Sequence, residues 1–193
     1  MLRRNLLLAA AFSLLPLGAV AQSQPPADAP ELVIQVAGEA NGTIRIALRP
    51  DLAPQHVARV IELAESGAYD GVVFHRVMSG FMAQTGDVQY GRADGDRSRA
   101  GYGGSDLPDL PAEFSDEPFV RGVVGMARGQ SPNSANSQFF IMFDEAAYLN
   151  GQYTVLGQVV DGLDVLDQIK LGRGQNGAVL GEPDVMVDVS VVQ

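Results

Sequence analysis

The chain has 193 residues, of which 46% are hydrophobic and 19% charged, with no cysteine and a formal net charge of -10. This length and apolar content suit one globular domain with its own core and exclude a largely disordered chain. The acidic balance, without clustered lysine and arginine, argues against nucleic acid as a partner, and the lack of cysteine excludes disulfides and thiol chemistry.

The first 21 residues have the pattern of a secretory signal peptide. Arg3 and Arg4 precede an apolar run that ends in the small residues AVA, which are typical of a cleavage site before Gln22. The run contains Pro16 and is short for a membrane core about 30 Å thick, so we expect no stable membrane insertion after cleavage. Losing two arginines and no acidic residue changes the net charge from -10 to -12.

A polar, proline-rich linker at residues 22–30 leads to a domain predicted to span residues 31–193. Two runs rich in β-branched residues, ELVIQVA and GTIRIALR, predict a β-hairpin. Pro54 then opens a segment with apolar residues at helical spacing, and Gly67 stands just past its end. This pattern predicts an amphipathic helix of about three turns.

Six further β-like runs follow: GVVFHRVM, FMAQTGD, GVVGMAR, SQFFIMF, YTVLGQVV and VMVDVSVV. A second short helix is predicted in GLDVLDQIK, before the last of these runs. Many short strands with few helices favour a closed antiparallel barrel, although a sandwich fits the same pattern. The long polar loop from Tyr90 to Pro111 is expected to lie near a binding face.

The residue types exclude several kinds of catalytic site. The two histidines and the carboxylates form no cluster with metal-ligand spacing, so we expect no metal. No G-x-S-x-G turn is present, so His75 is interpreted as a structural residue and His56 as a solvated one on the first helix. The glycine-rich stretch at residues 101–104 lacks the ending of a phosphate-binding loop, and no cofactor is expected.

One arginine, several amides and many apolar side chains remain as candidates. Arg76 lies among bulky apolar residues in VVFHRVMSGFMAQTGD. In SPNSANSQFF, polar residues adjoin aromatic ones, which suits the binding of an extended peptide. The alternative is that the aromatic residues are all core and that Arg76 merely neutralises Asp87.

Three long segments carry a resemblance to a known family: FHRVMSGFMAQTGD, GVVGMARGQSPNSANSQFFIMF and YLNGQYTVLGQVVDGLDVLDQI. Together they resemble the cyclophilin-type peptidyl-prolyl cis-trans isomerases, in a bacterial exported form located in the periplasm. The resemblance runs from about Glu31 to Gln193. It implies a mainly β fold, a closed eight-stranded antiparallel β-barrel capped by two α-helices. It also implies an enzyme that isomerises X-Pro bonds in proline-containing polypeptides during the folding of exported proteins.

Position by position, the resemblance implies that Arg76 and Gln84 are catalytic. The substrate-binding residues that it implies are Phe81, Met82, Ala127, Gln138, Phe140, Tyr148, Leu149 and Tyr153. The chain departs from the family where Arg128 and an inserted residue stand in place of a frequent asparagine. Tyr148 replaces a frequent tryptophan and Tyr153 a frequent histidine, so only weak cyclosporin binding is expected.

Two functions of other classes remain open at the sequence level. One is a proline-peptide-binding module or holdase without significant turnover. The other is an assembly protein of the envelope, for which the sequence shows no docking segment. The presence of Arg76, Phe81, Gln84 and Phe140 favours the enzyme.

Overall fold

The computed structural model describes residues 22–193, and the predicted signal peptide lies outside the described residues. This part of the chain forms nine strands and two helices. In order they are β1 (Glu31–Ala37), β2 (Gly42–Leu48), α1 (Pro54–Glu65), β3 (Val72–Val73), β4 (Arg76–Met78), β5 (Met82–Thr85), β6 (Val123–Met126), β7 (Phe139–Met142), β8 (Val155–Asp161), α2 (Leu163–Leu166) and β9 (Val185–Val192). Neither of the helices in residues 22–193 has the length and apolar character needed to cross a membrane.

The predicted hairpin is confirmed. β1 and β2 pair antiparallel, with Leu32 opposite Ile46 and Ile34 opposite Ile44. All four side chains are fully buried. Alternate residues of both strands therefore face the core, as the period of two in the sequence predicts.

Helix α1 begins at Pro54, whose fixed φ and missing N–H suit the first helical position. The Glu113 carboxylate accepts hydrogen bonds from the backbone N–H groups of Gln55 and His56, both at 3.1 Å. These donors have no partner within the helix itself. The prediction that His56 is solvated is wrong, because the chain around Glu113 covers the helix start. The His56 ring is fully buried, and its Nδ1 lies 2.7 Å from Glu113 Oε2.

The second predicted helix is present but short. Helix α2 has four residues and follows Gly162, whose φ of 87° breaks the preceding strand. Val165 and Leu166 are buried on its inner side, and Ile169 is buried just beyond its end. The helix therefore adds apolar side chains to the core before the chain enters β9.

The nine strands form one antiparallel sheet in the order β3-β9-β1-β2-β8-β6-β7-β5-β4. Its two edge strands, β3 and β4, follow one another in the chain and are separated only by Phe74 and His75. Since two residues span only about 7 Å, the sheet must curl until its edges come close. Mainly antiparallel β structure with two helices is therefore confirmed.

The predicted closed eight-stranded barrel differs from this sheet in two respects. The run GVVFHRVM was expected to form one strand, but it divides into β3, which pairs with β9, and β4, which pairs with β5. Within residues 22–193 no ladder of hydrogen bonds joins β3 to β4. The strand number is nine because the chain passes from one edge of the sheet to the other inside this run.

The concave side of the curled sheet holds the larger apolar cluster, called here the main core. Strands and α1 both contribute fully buried side chains to it, among them Leu32, Ile44, Val60, Phe74, Phe139, Ile141 and Met186. Every strand of the sheet supplies part of this cluster. The edge strands β3 and β4 supply few residues, because they are only two and three residues long. The sheet therefore packs one face on the main core and leaves its opposite face for other side chains.

Residues 22–30, predicted as a linker, form no helix or strand. Their start nevertheless packs on the domain. The Ser23 N–H donates to Glu117 Oε1 at 2.9 Å, and Arg49 Nη2 donates to Ser23 Oγ at 3.0 Å. Glu117 and Arg49 are both buried, so Ser23 supplies polar partners to two charged side chains.

Candidate active site

Four residues on neighbouring strands form a row across one face of the sheet. Arg76 of β4 is opposite Gln84 of β5. Gln84 is also opposite Phe140 of β7, and Phe140 is opposite Gly125 of β6. Their sequence neighbours in the main core are Val77, Ala83, Ile141 and Val124. Because successive side chains of a strand point to opposite faces, the row lies on the outer face of the sheet.

A second apolar cluster, called here the outer cluster, covers this face. Its buried members are Met82, Phe119, Val123, Phe140, Met142, Ala146, Leu149 and Val155. Partly buried side chains that pack against it are Leu52, Met78, Phe81, Val120, Ala127 and Tyr153. Arg76 and Gln84 lie at the border of the outer cluster, so one charged and one amide side chain adjoin an apolar surface.

The aromatic residues of the outer cluster are arranged around Phe140. Its ring stacks on Phe119 at a centroid distance of 5.8 Å, and Tyr153 meets it edge-on at 5.8 Å. Gly125 provides the space, because a Cβ atom there would lie 2.5 Å from Phe140 Cζ. Phe139, the preceding residue, lies in the main core. The sequence pattern predicts this division, since only one of two consecutive residues can face each side.

The Arg76 guanidinium is held from several directions. Nε donates to the backbone carbonyl of Asn176 at 2.9 Å, and Nη1 donates to Gln84 Oε1 at 3.0 Å. Nη2 lies 3.1 Å from Met78 Sδ, and Nη1 lies 3.7 Å from Met82 Sδ. None of these partners, all within the described residues, is a carboxylate.

Burial lowers the pKa of Arg76 from its ordinary value, and the nearby Tyr153 and Tyr148 act in the opposite direction. The guanidinium stays protonated, because an arginine is not deprotonated in proteins. The site therefore contains a permanent positive charge beside apolar walls, where hydrogen bonds are stronger than in water.

Asp87 does not pair with Arg76 but fixes the long polar loop. Its buried carboxylate accepts two backbone N–H bonds through Oδ1, at 2.9 and 3.1 Å. Through Oδ2 it accepts the N–H groups of Gly101 at 2.7 Å and Gly103 at 3.0 Å. The alternative interpretation, in which Arg76 neutralises Asp87, is therefore wrong.

A chain of side-chain amides joins Arg76 to this loop. Gln84 accepts from Arg76 through its oxygen and donates through Nε2 to Gln138 Oε1 at 2.9 Å. Gln138 donates in turn through Nε2 to the Gly103 carbonyl at 2.8 Å. Each amide thus has one accepting and one donating partner, which fixes its orientation.

A cavity of about 460 Å³ lies beside the amide chain. Its walls include Gln84, Gly101, Gly103, Asp109, Ala127, Arg128, Asn136 and Gln138. Gly101, Gly103 and Asp109 belong to the long loop from Tyr90 to Pro111, which thus lines a concave surface beside Gln84. That this surface is a binding face stays a prediction. Ala127 packs against the outer cluster and also lines the cavity, so the two surfaces adjoin. Together with Arg76 and Gln84 at their border they are called here the groove.

His75 is buried behind the groove. Neither ring nitrogen has a hydrogen-bond partner within residues 22–193. Burial lowers its pKa to about 4, although the nearby Asp87 acts in the opposite direction. The ring is therefore neutral near pH 7 and is poorly suited to proton transfer there, in agreement with its interpretation as a structural residue.

The comparison with protein families decides the assignment. The sequence profile of the family described as "Cyclophilin type peptidyl-prolyl cis-trans isomerase/CLD" matches residues 32–191. The chain belongs to the cyclophilin family.

Among its relatives, a "Probable peptidyl-prolyl cis-trans isomerase" of Brucella suis is 56% identical over 191 residues, which cover 97% of this cyclophilin and 95% of the relative. "Peptidyl-prolyl cis-trans isomerase-like 3" of Gallus gallus is 40% identical over 133 residues, 67% of this chain and 76% of the relative. A crystal structure of a cyclophilin from Hirschia baltica superposes with a TM-score of 0.67 at 28% identity, covering 84% of this chain and 73% of that one.

The cyclophilin brings all of its predicted site residues to this one groove. Met82, Phe140 and Leu149 are buried in the outer cluster. Phe81, Ala127 and Tyr153 pack against it. Tyr148 is 65% exposed, and its ring centroid lies 6.0 Å from that of Phe81. Arg76 donates to Gln84, and Gln84 donates to Gln138, in the chain of hydrogen bonds described above. Their individual roles stay predictions.

The sequence did not predict three contacts around the cyclophilin groove. Phe119 follows an irregular segment without periodicity, so nothing marked it as the ring that stacks on Phe140. Arg128 and Tyr153 are both named above as departures from the family, but the sequence does not predict that the Arg128 guanidinium lies over the Tyr153 ring, with Cζ 4.4 Å from its centroid. Asn176, in an Asn-Gly pair that is typical of turns, contacts Arg76 from a segment without helix or strand periodicity, so the sequence did not indicate this contact.

Proposed function

We propose that this cyclophilin accelerates the cis–trans rotation of X-Pro bonds during the folding of exported proteins. Family membership supplies the activity, peptidyl-prolyl cis-trans isomerisation. The observation that carries the proposal is the environment of Arg76. Its guanidinium has no carboxylate partner among the described residues, and Gln84 holds it beside an apolar surface.

The proposed mechanism follows from amide resonance. The barrier to peptide rotation is about 18 to 20 kcal/mol, because the nitrogen shares its lone pair with the carbonyl. In the twisted state that lone pair becomes localised on the prolyl nitrogen. A hydrogen bond from Arg76 to this nitrogen, or to the adjacent carbonyl, is then strongest in the transition state and lowers its free energy selectively.

The outer cluster suits the other requirement, which is to hold the proline ring. Phe81, Met82, Phe140 and Leu149 offer apolar contacts, and the adjoining cavity has room for the residues that flank the proline. A structurally similar cyclophilin of Cryptosporidium parvum, with a TM-score of 0.70 and 23% identity, covering 84% of this chain and 99% of that one, was crystallised in the presence of the dipeptide Ala-Pro. We infer that an X-Pro unit occupies the corresponding groove here.

A protease-coupled assay with a proline tetrapeptide tests the proposed activity directly. Residues 22–193 should accelerate cis-to-trans conversion in proportion to enzyme concentration. The alternative, a binding module or holdase, predicts that proline peptides bind without an increase in rate. Measuring peptide binding by calorimetry on the same preparation separates these two functions.

We infer that the protein is exported to the periplasm and that its mature chain begins at Gln22. The basic and apolar segments with the AVA sequence support this inference, and Ser23 packs against buried Glu117 and Arg49 just after the proposed cleavage point. Intact mass spectrometry of protein from the source cell should show loss of residues 1–21, in a periplasmic fraction. A chain that still begins at Met1 in the membrane fraction would contradict both inferences.

We further infer weak binding of cyclosporin, because Tyr148 lacks an indole N–H donor. Replacing Tyr148 with tryptophan should tighten inhibition about fivefold, as one added hydrogen bond contributes roughly 1 kcal/mol. Inhibition constants of the wild type and the variant measure the effect, and Tyr148→Phe is the matched control that adds no donor. Equal inhibition of wild type and Tyr148→Trp would show that this residue does not set the affinity.

A further inference from the structure

The segment between α2 and β9 lies along the free edge of β4. The Gly172 N–H donates to the Val77 carbonyl at 2.9 Å, and the Val179 N–H donates to the His75 carbonyl at 3.0 Å. Ala178 forms an antiparallel bridge with Arg76. Residues 172–179, called here the edge segment, thus cover the side of β4 that faces away from β5.

The edge segment contains an unusual backbone conformation. Asn176 has a φ of 56° and is the one non-glycine residue with positive φ in residues 22–193. This left-handed region is unfavourable for most side chains, and asparagine and glycine tolerate it best. Gly177 follows with a φ of 80°, and a Cβ atom there would lie 2.4 Å from Met78 Cγ. The turn is therefore built tightly against the strand that carries Arg76.

The result of this turn is a carbonyl directed at the catalytic candidate. The Asn176 carbonyl accepts from Arg76 Nε at 2.9 Å, whereas Gln84 accepts from a different nitrogen, Nη1. An arginine side chain carries about 2 kcal/mol of rotamer entropy, so a fork without restraint would sample many orientations. Two hydrogen bonds to different nitrogens fix both the position and the plane of the fork.

We propose that Asn176 is a positioning residue for Arg76, acting through its main-chain carbonyl and its left-handed conformation. The inference rests on the proposed function, in which the fork must meet a twisted prolyl amide. Asn176 does not touch that amide in this proposal. A displacement of a catalytic group by about 1 Å can lower a rate roughly a hundredfold. By holding the Arg76 guanidinium in place, the edge segment therefore contributes to turnover and little to substrate affinity.

The acceptor is the backbone carbonyl of Asn176, so the hydrogen bond depends on the backbone conformation of this residue and not on its side chain. Asn176→Gly keeps positive φ accessible, whereas Asn176→Val, with a β-branched side chain, strongly disfavours it. We expect Asn176→Val to lower kcat about tenfold with KM nearly unchanged, and Asn176→Gly to remain within about twofold of the wild type. A purely structural role would instead lower Tm and leave the specific activity of folded protein unchanged.

A double-mutant cycle shows whether the effect passes through Arg76. In an Arg76→Ala background, Asn176→Val and Asn176→Gly should have the same residual rate. An equal loss from Asn176→Val in both backgrounds would overturn the proposal.

The Arg76 Nε–H resonance in ¹⁵N NMR spectra reports the hydrogen bond independently of turnover. It should shift in Asn176→Val and stay in place in Asn176→Gly. An unchanged resonance and rate in Asn176→Val would also overturn the proposal. A different result would be that the resonances behave as expected but the wild type isomerises no proline peptide. The proposed activity and the positioning role in catalysis would then both be wrong, although the hydrogen bond between Asn176 and Arg76 would be confirmed.

Discussion

Replacing Arg76 with alanine should lower kcat/KM about a hundredfold to a thousandfold, by analogy with the loss of one transition-state hydrogen-bond donor. Tm should change little, because the guanidinium has no carboxylate partner within the described residues and its contacts are at the border of the outer cluster. Arg76→Lys should restore only part of the rate, since an ammonium lacks the planar fork. A protease-coupled assay and a thermal melt on the same preparations measure both quantities.

Arg45 of β2 offers a matched control. It pairs with Glu31 on the sheet surface, and its side chain is 38% exposed. Arg45→Ala removes the same chemical group away from the groove and should leave kcat/KM unchanged. A well-folded Arg76→Ala variant with the wild-type rate would refute the proposed mechanism, and an equal loss in Arg45→Ala would point to a general charge effect.

Replacing Asp87 with asparagine should destabilise the fold by about 3 kcal/mol or more, as hydrogen bonds to a charged group contribute roughly 1.5 to 3 kcal/mol each. An asparagine retains one carboxamide oxygen, so whichever way it is oriented, two backbone donors meet its NH₂ group. The Tm should fall by about 6 to 12 °C, given roughly 2 to 4 °C per kcal/mol for a domain of this size. Differential scanning calorimetry measures this change.

The same variant should also reduce kcat/KM, because the loop fixed by Asp87 carries the Gly103 carbonyl that orients Gln138. Asp94→Asn is the matched control in the same loop, since the Asp94 side chain is 80% exposed. It should leave Tm and rate unchanged. An Asp87→Asn variant with wild-type Tm would show that the buried carboxylate does not hold the loop.

The parts of the fold that were predictable are those set by local pattern. The hairpin of β1 and β2 follows from alternation, since Ile44 and Ile46 alternate with polar residues in one short run. Helix α1 follows from its apolar spacing and from Pro54. The division of Phe139 and Phe140 between two faces also follows from strand geometry. Such features depend on residues within one turn or strand.

The features that were not predictable depend on strand order. Arg76 and Asn176 are 100 residues apart in sequence, and only the edge position of β4 brings them together. His56 is buried because Glu113, 57 residues away, covers the start of α1. The division of GVVFHRVM into β3 and β4 likewise reflects partners elsewhere in the chain. The family resemblance supplied the groove residues, and pattern alone did not.

The place of β9 in the sheet affects how the chain can fold while it is being synthesised. This strand is last in sequence yet lies between β3 and β1, pairing with both. Until it has left the ribosome, β1 and β3 lack a common neighbour and the curled sheet cannot close over the main core. The other pairings, from β1 through β2, β8, β6, β7 and β5 to β4, do not involve β9 and can form before it is available. Until β9 is in place, the edges of β1 and β3 that it covers stay unpaired, and unpaired strand edges are sites at which another chain can pair.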